Sequence, residues 1–137
     1  MRKMIFYLTL GLLLSGVALA VESIIITTPE RALEWRTDEP GKMSWRAAKT
    51  YCETLNSDVK SIWRLPTVNE LQTIIDRSKC RPSADKTIFP HIKPLYYWSF
   101  VSRVGDTDSA WSVSFFDGHV GYFGKNVHFN FRCVREK

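Results

Sequence analysis

The sequence predicts an α+β domain, two helices packed on a short antiparallel β-sheet with long loops and tied by a disulfide. Three observations carry that expectation. Two segments, Ser44 to Leu55 and Thr67 to about Arg77, open on helix-capping residues and repeat apolar side chains at helical spacing. The stretch after Pro94 alternates aromatic and small polar residues around turn signals, as strands do. Cys52 and Cys133 each fall on an inward-facing position, one by helical spacing and the other by strand alternation.

In chain order, Arg2 and Lys3 precede an uncharged stretch from Met4 to Ala20 that ends Ala18-Leu19-Ala20. A basic start, an apolar middle and a small-residue end form a secretory signal, so residues 1–20 are read as signal peptide and 21–137 as one domain. An uncharged run of this length is at the short edge of a bilayer span, and the early polar Glu22 favours cleavage over a retained anchor. The expected location is periplasmic or secreted, with no transmembrane span after cleavage. Loss of Arg2 and Lys3 takes the formal charge from +5 to +3, a mild excess that does not argue for nucleic acid.

Ile24-Ile25-Ile26-Thr27-Thr28 is β-branched throughout and closed by Pro29, which predicts a first strand; Ala32 to Trp35 predicts a second. Asp38-Glu39-Pro40-Gly41 is a turn, and Ser44 N-caps a helix whose Trp45, Ala48, Cys52 and Leu55 lie on one stripe. After Pro66, Thr67-Val68-Asn69-Glu70 has the form of a capping box, and Val68, Leu71, Ile74 and Ile75 make the inner face of its helix. Ser78 to Pro94 is rich in Lys, Arg, Pro, Ser and Asp, a long loop held at points such as Ile88 and Phe89.

Strands follow at Tyr96 to Phe100, Ala110 to Phe116 and Val120 to Phe123, with turns at Gly105 to Ser109, Asp117-Gly118 and Gly124 to Asn126. Trp111, Val113 and Phe115 are expected inward and Ser112 and Ser114 outward. Phe129, Phe131 and Cys133 share a face of the last strand, so Cys133 is inward as Cys52 is, and Cys52–Cys133 is the preferred bridge. Its long loop gives a closure worth about 4.5 kcal/mol. Cys80, between Lys79 and Arg81, is left as a free or intermolecular thiol.

Leu33-Glu34-Trp35, Ser44-Trp45-Arg46-Ala47-Ala48, Tyr51-Cys52, Trp63-Arg64-Leu65-Pro66-Thr67, Tyr97-Trp98-Ser99 and Arg132-Cys133-Val134-Arg135 together resemble the Lcl C-terminal domain family, also called DUF1566. The resemblance spans roughly residues 30 to 135 and implies a fold similar to the C-type-lectin-like and formylglycine-generating-enzyme-like folds. In lectin-like folds an early helix cysteine pairs with one in the final strand, which maps onto Cys52 and Cys133. Members are found in exported bacterial proteins, and the best-known member joins the domain to a collagen-like stalk and adheres to sulfated glycosaminoglycans. No Gly-X-Y repeat occurs in this sequence.

No catalytic residue, metal site or cofactor is expected. The tripeptides used for calcium-dependent sugar binding in lectin-like folds are missing, and His91, His119 and His128 form no H-x-H or H-E-x-x-H pattern. Asp76, Asp106, Asp108 and Asp117 stand at turns and a helix end, where Asp caps backbone N–H groups. The core cysteines are taken by the bridge, whereas formylglycine-generating chemistry needs them reactive. Arg64 and Glu70 read as structural, with Arg64 pairing a carboxylate or loop carbonyls near Pro66, and Trp98 and Trp111 read as core.

The expected function is therefore that of an exported, non-enzymatic binding module for an anionic glycan or an envelope protein. Arg77, Lys79, Arg81, Lys86 and Lys93, with His91, form the densest basic stretch and the candidate ligand-binding residues. The alternative is a structural component of an envelope complex, dimerising through Cys80.

Overall fold

The computed structural model describes residues 24–27, 32–56 and 62–137; the signal segment expected over residues 1–20 lies outside them. Two three-stranded antiparallel sheets are joined by the C-terminal run. The first orders β1 (Ile24–Thr27), β2 (Ala32–Trp35) and β6 (Val134–Glu136), so the start and end of the domain pair directly, with Trp35 opposite Val134. The second is a meander of β3 (Tyr96–Arg103), β4 (Asp106–Ser114) and β5 (Val120–Gly124). Two helices, α1 (Trp45–Thr54) and α2 (Val68–Thr73), complete the α+β architecture.

The run before β6 stitches these parts together. Met43 and Phe129 exchange backbone hydrogen bonds, the Trp98 amide donates to the Asn130 carbonyl at 3.0 Å, and Arg64 and Val134 exchange two bonds at 2.9 Å. The Trp63–Thr67 and Arg132–Arg135 motifs are thus bonded to each other. Arg135 lies over the Trp63 ring at 4.5 Å and Arg36 at 5.7 Å.

The helices begin where their caps predict. Ser44 accepts from the Ala47 amide. Thr67 Oγ1 accepts from the Glu70 amide at 3.2 Å while Glu70 Oε2 accepts from the Thr67 amide at 2.8 Å, a complete capping box. Arg64 donates to both oxygens of Glu70 at 2.7 and 2.8 Å, a bidentate pair stronger than a single neutral bond. Burial alone would raise the Glu70 carboxyl, but the Arg64 guanidinium and the Thr67 groups outweigh it and hold it below its ordinary 4.5. The stability Glu70 contributes is therefore present above pH 4.5 and lost as pH falls through the lowered value. Glu70→Gln, which can still cap, should flatten that acid limb in urea unfolding between pH 5 and 2; an unchanged slope would show that the pair carries no pH dependence. Thr67→Ala should cost about 1 kcal/mol, the usual loss for an N-cap, read by the same assay.

Several expectations need correction. Helix α2 stops at Thr73 rather than near Arg77, because Asp76 accepts from both the amide and the hydroxyl of Ser78, and its own amide donates to the Ser83 carbonyl. Those local bonds compete with another helical turn. The long loop is anchored by Phe89 and Ile92, whereas Ile88 is exposed. Asp85 starts the turn that sets this, its carbonyl accepting from the Phe89 amide at 2.8 Å. Strand β4 starts earlier than predicted, since the turn is confined to Val104-Gly105, where Gly105 takes φ +78°.

Ser112 and Ser114 are buried rather than outward. Alternate residues of β3 and β4 enter two different cores: Tyr97 and Val113, with Phe115 just beyond β4, join Leu33, Trp35 and Leu71, while Trp98 and Ala110 join Trp45, Cys52 and Phe131. A strand covered on both faces has no solvent row. The bridge Cys52–Cys133 is formed inside the second core.

The first core holds a charge. The Arg132 side chain is fully buried, donates to the Arg36 carbonyl at 2.9 Å and pairs with Glu39, and stands over Phe89 at 5.2 Å. The Tyr97 hydroxyl bonds Glu39 at 3.2 Å and accepts from the Lys93 amide at 3.0 Å. Burial pushes the Glu39 carboxyl up despite Arg132, and burial followed by the Glu39 charge pushes the Tyr97 hydroxyl well up.

Candidate functional site

Of the five basic residues singled out from sequence, the structure brings three together. Lys79, Arg81 and Lys86 border one concavity of about 400 Å³, with Cys80, Pro82 and Asp85 also on its wall. The backbone turns sharply there, Arg81 taking φ +58°. Ser83 fastens the segment to the end of β4, its amide donating to the Phe115 carbonyl at 2.6 Å and its hydroxyl to the Phe116 carbonyl at 3.1 Å.

The three cations are not equivalent. Lys79 sits between Asp76 at 3.2 Å and Asp85 at 3.6 Å, so much of its charge is matched locally. Hydrogen bonds from Ser78 hold Asp76 below its ordinary carboxyl value, and those from Thr87 do the same for Asp85, with Lys79 adding to both. Arg81 lies 4.9 Å over the exposed Phe116 ring, a cation–π contact that leaves its planar fork oriented. Lys86 is exposed. The other two lie apart from this concavity: Arg77 is exposed near Gly118, and Lys93 is exposed beside Tyr97, close enough to act on Glu39. Cys80 is an exposed free thiol.

A second concavity, of about 380 Å³, escaped the sequence reading. Thr67, Val68 and Asn69 at the start of α2 form one wall, and Val101, Trp111 and Val120 of the β3–β4–β5 sheet form the other. Trp111, expected in the core, is only half-buried. It pairs across the strands with Tyr122, the two rings meeting edge to face at 5.3 Å, and the Arg103 guanidinium lies over Tyr122 at 3.9 Å. Val113 and Phe115 point the same way as Trp111 but enter the first core with Leu71 of α2, whereas Trp111 projects beyond that cover. The signal available in the sequence is the pairing of two large aromatics at the far end of a hairpin; which neighbour covers them is a tertiary fact.

Among the described residues no group of three or more His, Cys, Asp or Glu gathers to hold a metal, and no helix is long and apolar enough to cross a membrane. A family model described as the Lcl C-terminal domain matches residues 25–135, nearly the whole of the domain described above, and the chain belongs to that family. Comparison with curated proteins gives no match.

Proposed function

We propose that this Lcl C-terminal domain is an extracytoplasmic, non-enzymatic binding module that recognises an anionic glycan or an acidic envelope partner through the loop after α2. The observation that carries the reading is the concavity bordered by Lys79, Arg81 and Lys86. Arg81 and Lys86 supply charge-assisted donors at its rim, and sulfate or carboxylate groups suit such donors. A bridge from helix to C-terminal run supports both an oxidising compartment and a C-type-lectin-like arrangement in which the domain ends pair. The Glu39 carboxyl and the Tyr97 hydroxyl, both pushed up by burial, are tied to the buried Arg132, which supports a structural rather than a catalytic use of them.

Chromatography on immobilised heparin tests the reading. The protein should be retained at low salt and released by a salt gradient, and the double variant Arg81→Gln/Lys86→Gln should elute earlier. Absence of retention at low salt sinks the polyanion version. An assembly role is favoured by one separate observation, the exposure of Cys80 on the wall of the same concavity. Its disulfide-dimer version predicts a dimer band on non-reducing electrophoresis that Cys80→Ser abolishes; a monomer band in both proteins excludes that version.

A further inference from the structure

We infer that Trp111, Tyr122 and Arg103 form a subsite for an acid-bearing pyranose ring, a uronate-type sugar residue whose apolar face lies on Trp111 and whose carboxylate meets Arg103. This deepens the glycan reading above and rests on it.

The shelf is preassembled. Trp111 and Tyr122 are opposite each other in the β4–β5 register, so the backbone ladder fixes their spacing. Tyr122 is 45 % exposed. The Arg103 guanidinium carbon is 3.9 Å from the centre of the Tyr122 ring, and Asp106, its ion-pair partner, is 3.8 Å away, too long for a hydrogen bond. A guanidinium carries five N–H donors in a planar fork, and one that makes no hydrogen bond to its own carboxylate can receive a ligand carboxylate through two parallel bonds. The opposite wall ends in the exposed side chain of Asn69, which has both a donor and an acceptor for ring hydroxyls.

The occupant follows from size, shape and charge. A concavity of about 380 Å³ is in the range of small-ligand sites, whereas a stable protein partner needs a broad patch of about 800 Å². Its lining combines the apolar Val68, Val101, Trp111 and Val120 with the polar Thr67 and Asn69, which matches a pyranose, with C–H groups on its faces and hydroxyls around its rim. An aromatic face is electron-rich and attracts those weakly positive C–H groups. Tyr122 and Arg103 stand outside this lining, joined to it by the Trp111–Tyr122 ring contact, and Arg103 adds the charge that selects an acidic sugar over a neutral one.

Isothermal titration calorimetry of the purified protein with trigalacturonate, and with maltotriose as the neutral control, tests the subsite. Trigalacturonate should bind and maltotriose should not. Trp111→Ala and Arg103→Gln should each weaken trigalacturonate at least tenfold, while Arg81→Gln/Lys86→Gln leaves a larger share of the affinity. Arg103 is a partly exposed side chain, so Arg103→Gln keeps the fold and remains decisive if Trp111→Ala melts early. Equal binding of maltotriose, or full affinity in Arg103→Gln, overturns the subsite. Binding lost only in the loop variant overturns it while leaving the glycan reading in place. No binding of trigalacturonate together with no retention on heparin overturns both.

Discussion

Replacing Cys52 and Cys133 together by alanine is expected to remove up to about 4.5 kcal/mol of stability, the chain-entropy value for a bridge closing this loop. The two cysteines are 81 residues apart in sequence. A domain of this size has about 5–15 kcal/mol in total, so the loss is a large share of what holds it folded. The bridge matters locally as well, because α1 meets the rest of the domain along one face: the buried stripe of Trp45, Ala48 and Cys52, the Trp45 indole donating to the Ser99 carbonyl at 2.8 Å, and Tyr51 against Phe131. Without the covalent tie, α1 should open at lower denaturant than the β3–β4–β5 sheet. Urea unfolding followed separately by far-ultraviolet circular dichroism and tryptophan fluorescence checks this. Coincident transitions within 1 kcal/mol of the wild type would show that packing alone secures the helix.

Features decided within a few residues were legible in the sequence. The Ser44 cap, the apolar stripe of α1 and the Thr67–Glu70 box depend on spacing along one helix, and the structure has all three. The inward positions of Cys52 and Cys133 followed from two local periodicities. Where the expectation failed, a distant or competing partner decided. Asp76 with Ser78 and Ser83 ended α2 early, and the second core turned Ser112 and Ser114 inward. Trp111 shows the reverse: alternation marked it as buried, yet a concavity opens between it and the start of α2.

The candidate site divides the same way. A basic loop is visible as composition, but which cations converge is set by the backbone turn at Arg81 and by the attachment of Ser83 to the end of β4. Nothing in the spacing of Lys79 reveals that Asp76 and Asp85 flank it in space. The aromatic shelf required the β4–β5 register and the position of Arg103, three contributions from three strands.

Arg132→Met alone should destabilise the domain by about 3–5 kcal/mol at pH 7, the cost of removing one partner of a buried ion pair. The Arg132 side chain is fully buried, and the groups that compensate it, Glu39 and the Arg36 carbonyl, are more than ninety residues earlier. With Arg132 gone, Glu39 is left as a carboxylate in the core, and burial already raises its carboxyl above the ordinary 4.5. A carboxyl raised on folding contributes stability that is fully present below its unfolded value and lost as pH climbs through the folded one. The Arg132→Met variant should therefore be closer to wild type at pH 4 than at pH 7, the opposite trend to that of Glu70. Adding Glu39→Leu removes the stranded charge and should recover most of the loss at pH 7, since an apolar pair of similar volume often replaces a buried ion pair at little cost. Urea unfolding of the single and double variants at both pH values completes the cycle. If the single variant is as stable as wild type at pH 7, or the double variant is as unstable as the single, then the penalty does not come from an unpaired Glu39, and the pair is not what holds the C-terminal run against the Glu39 turn.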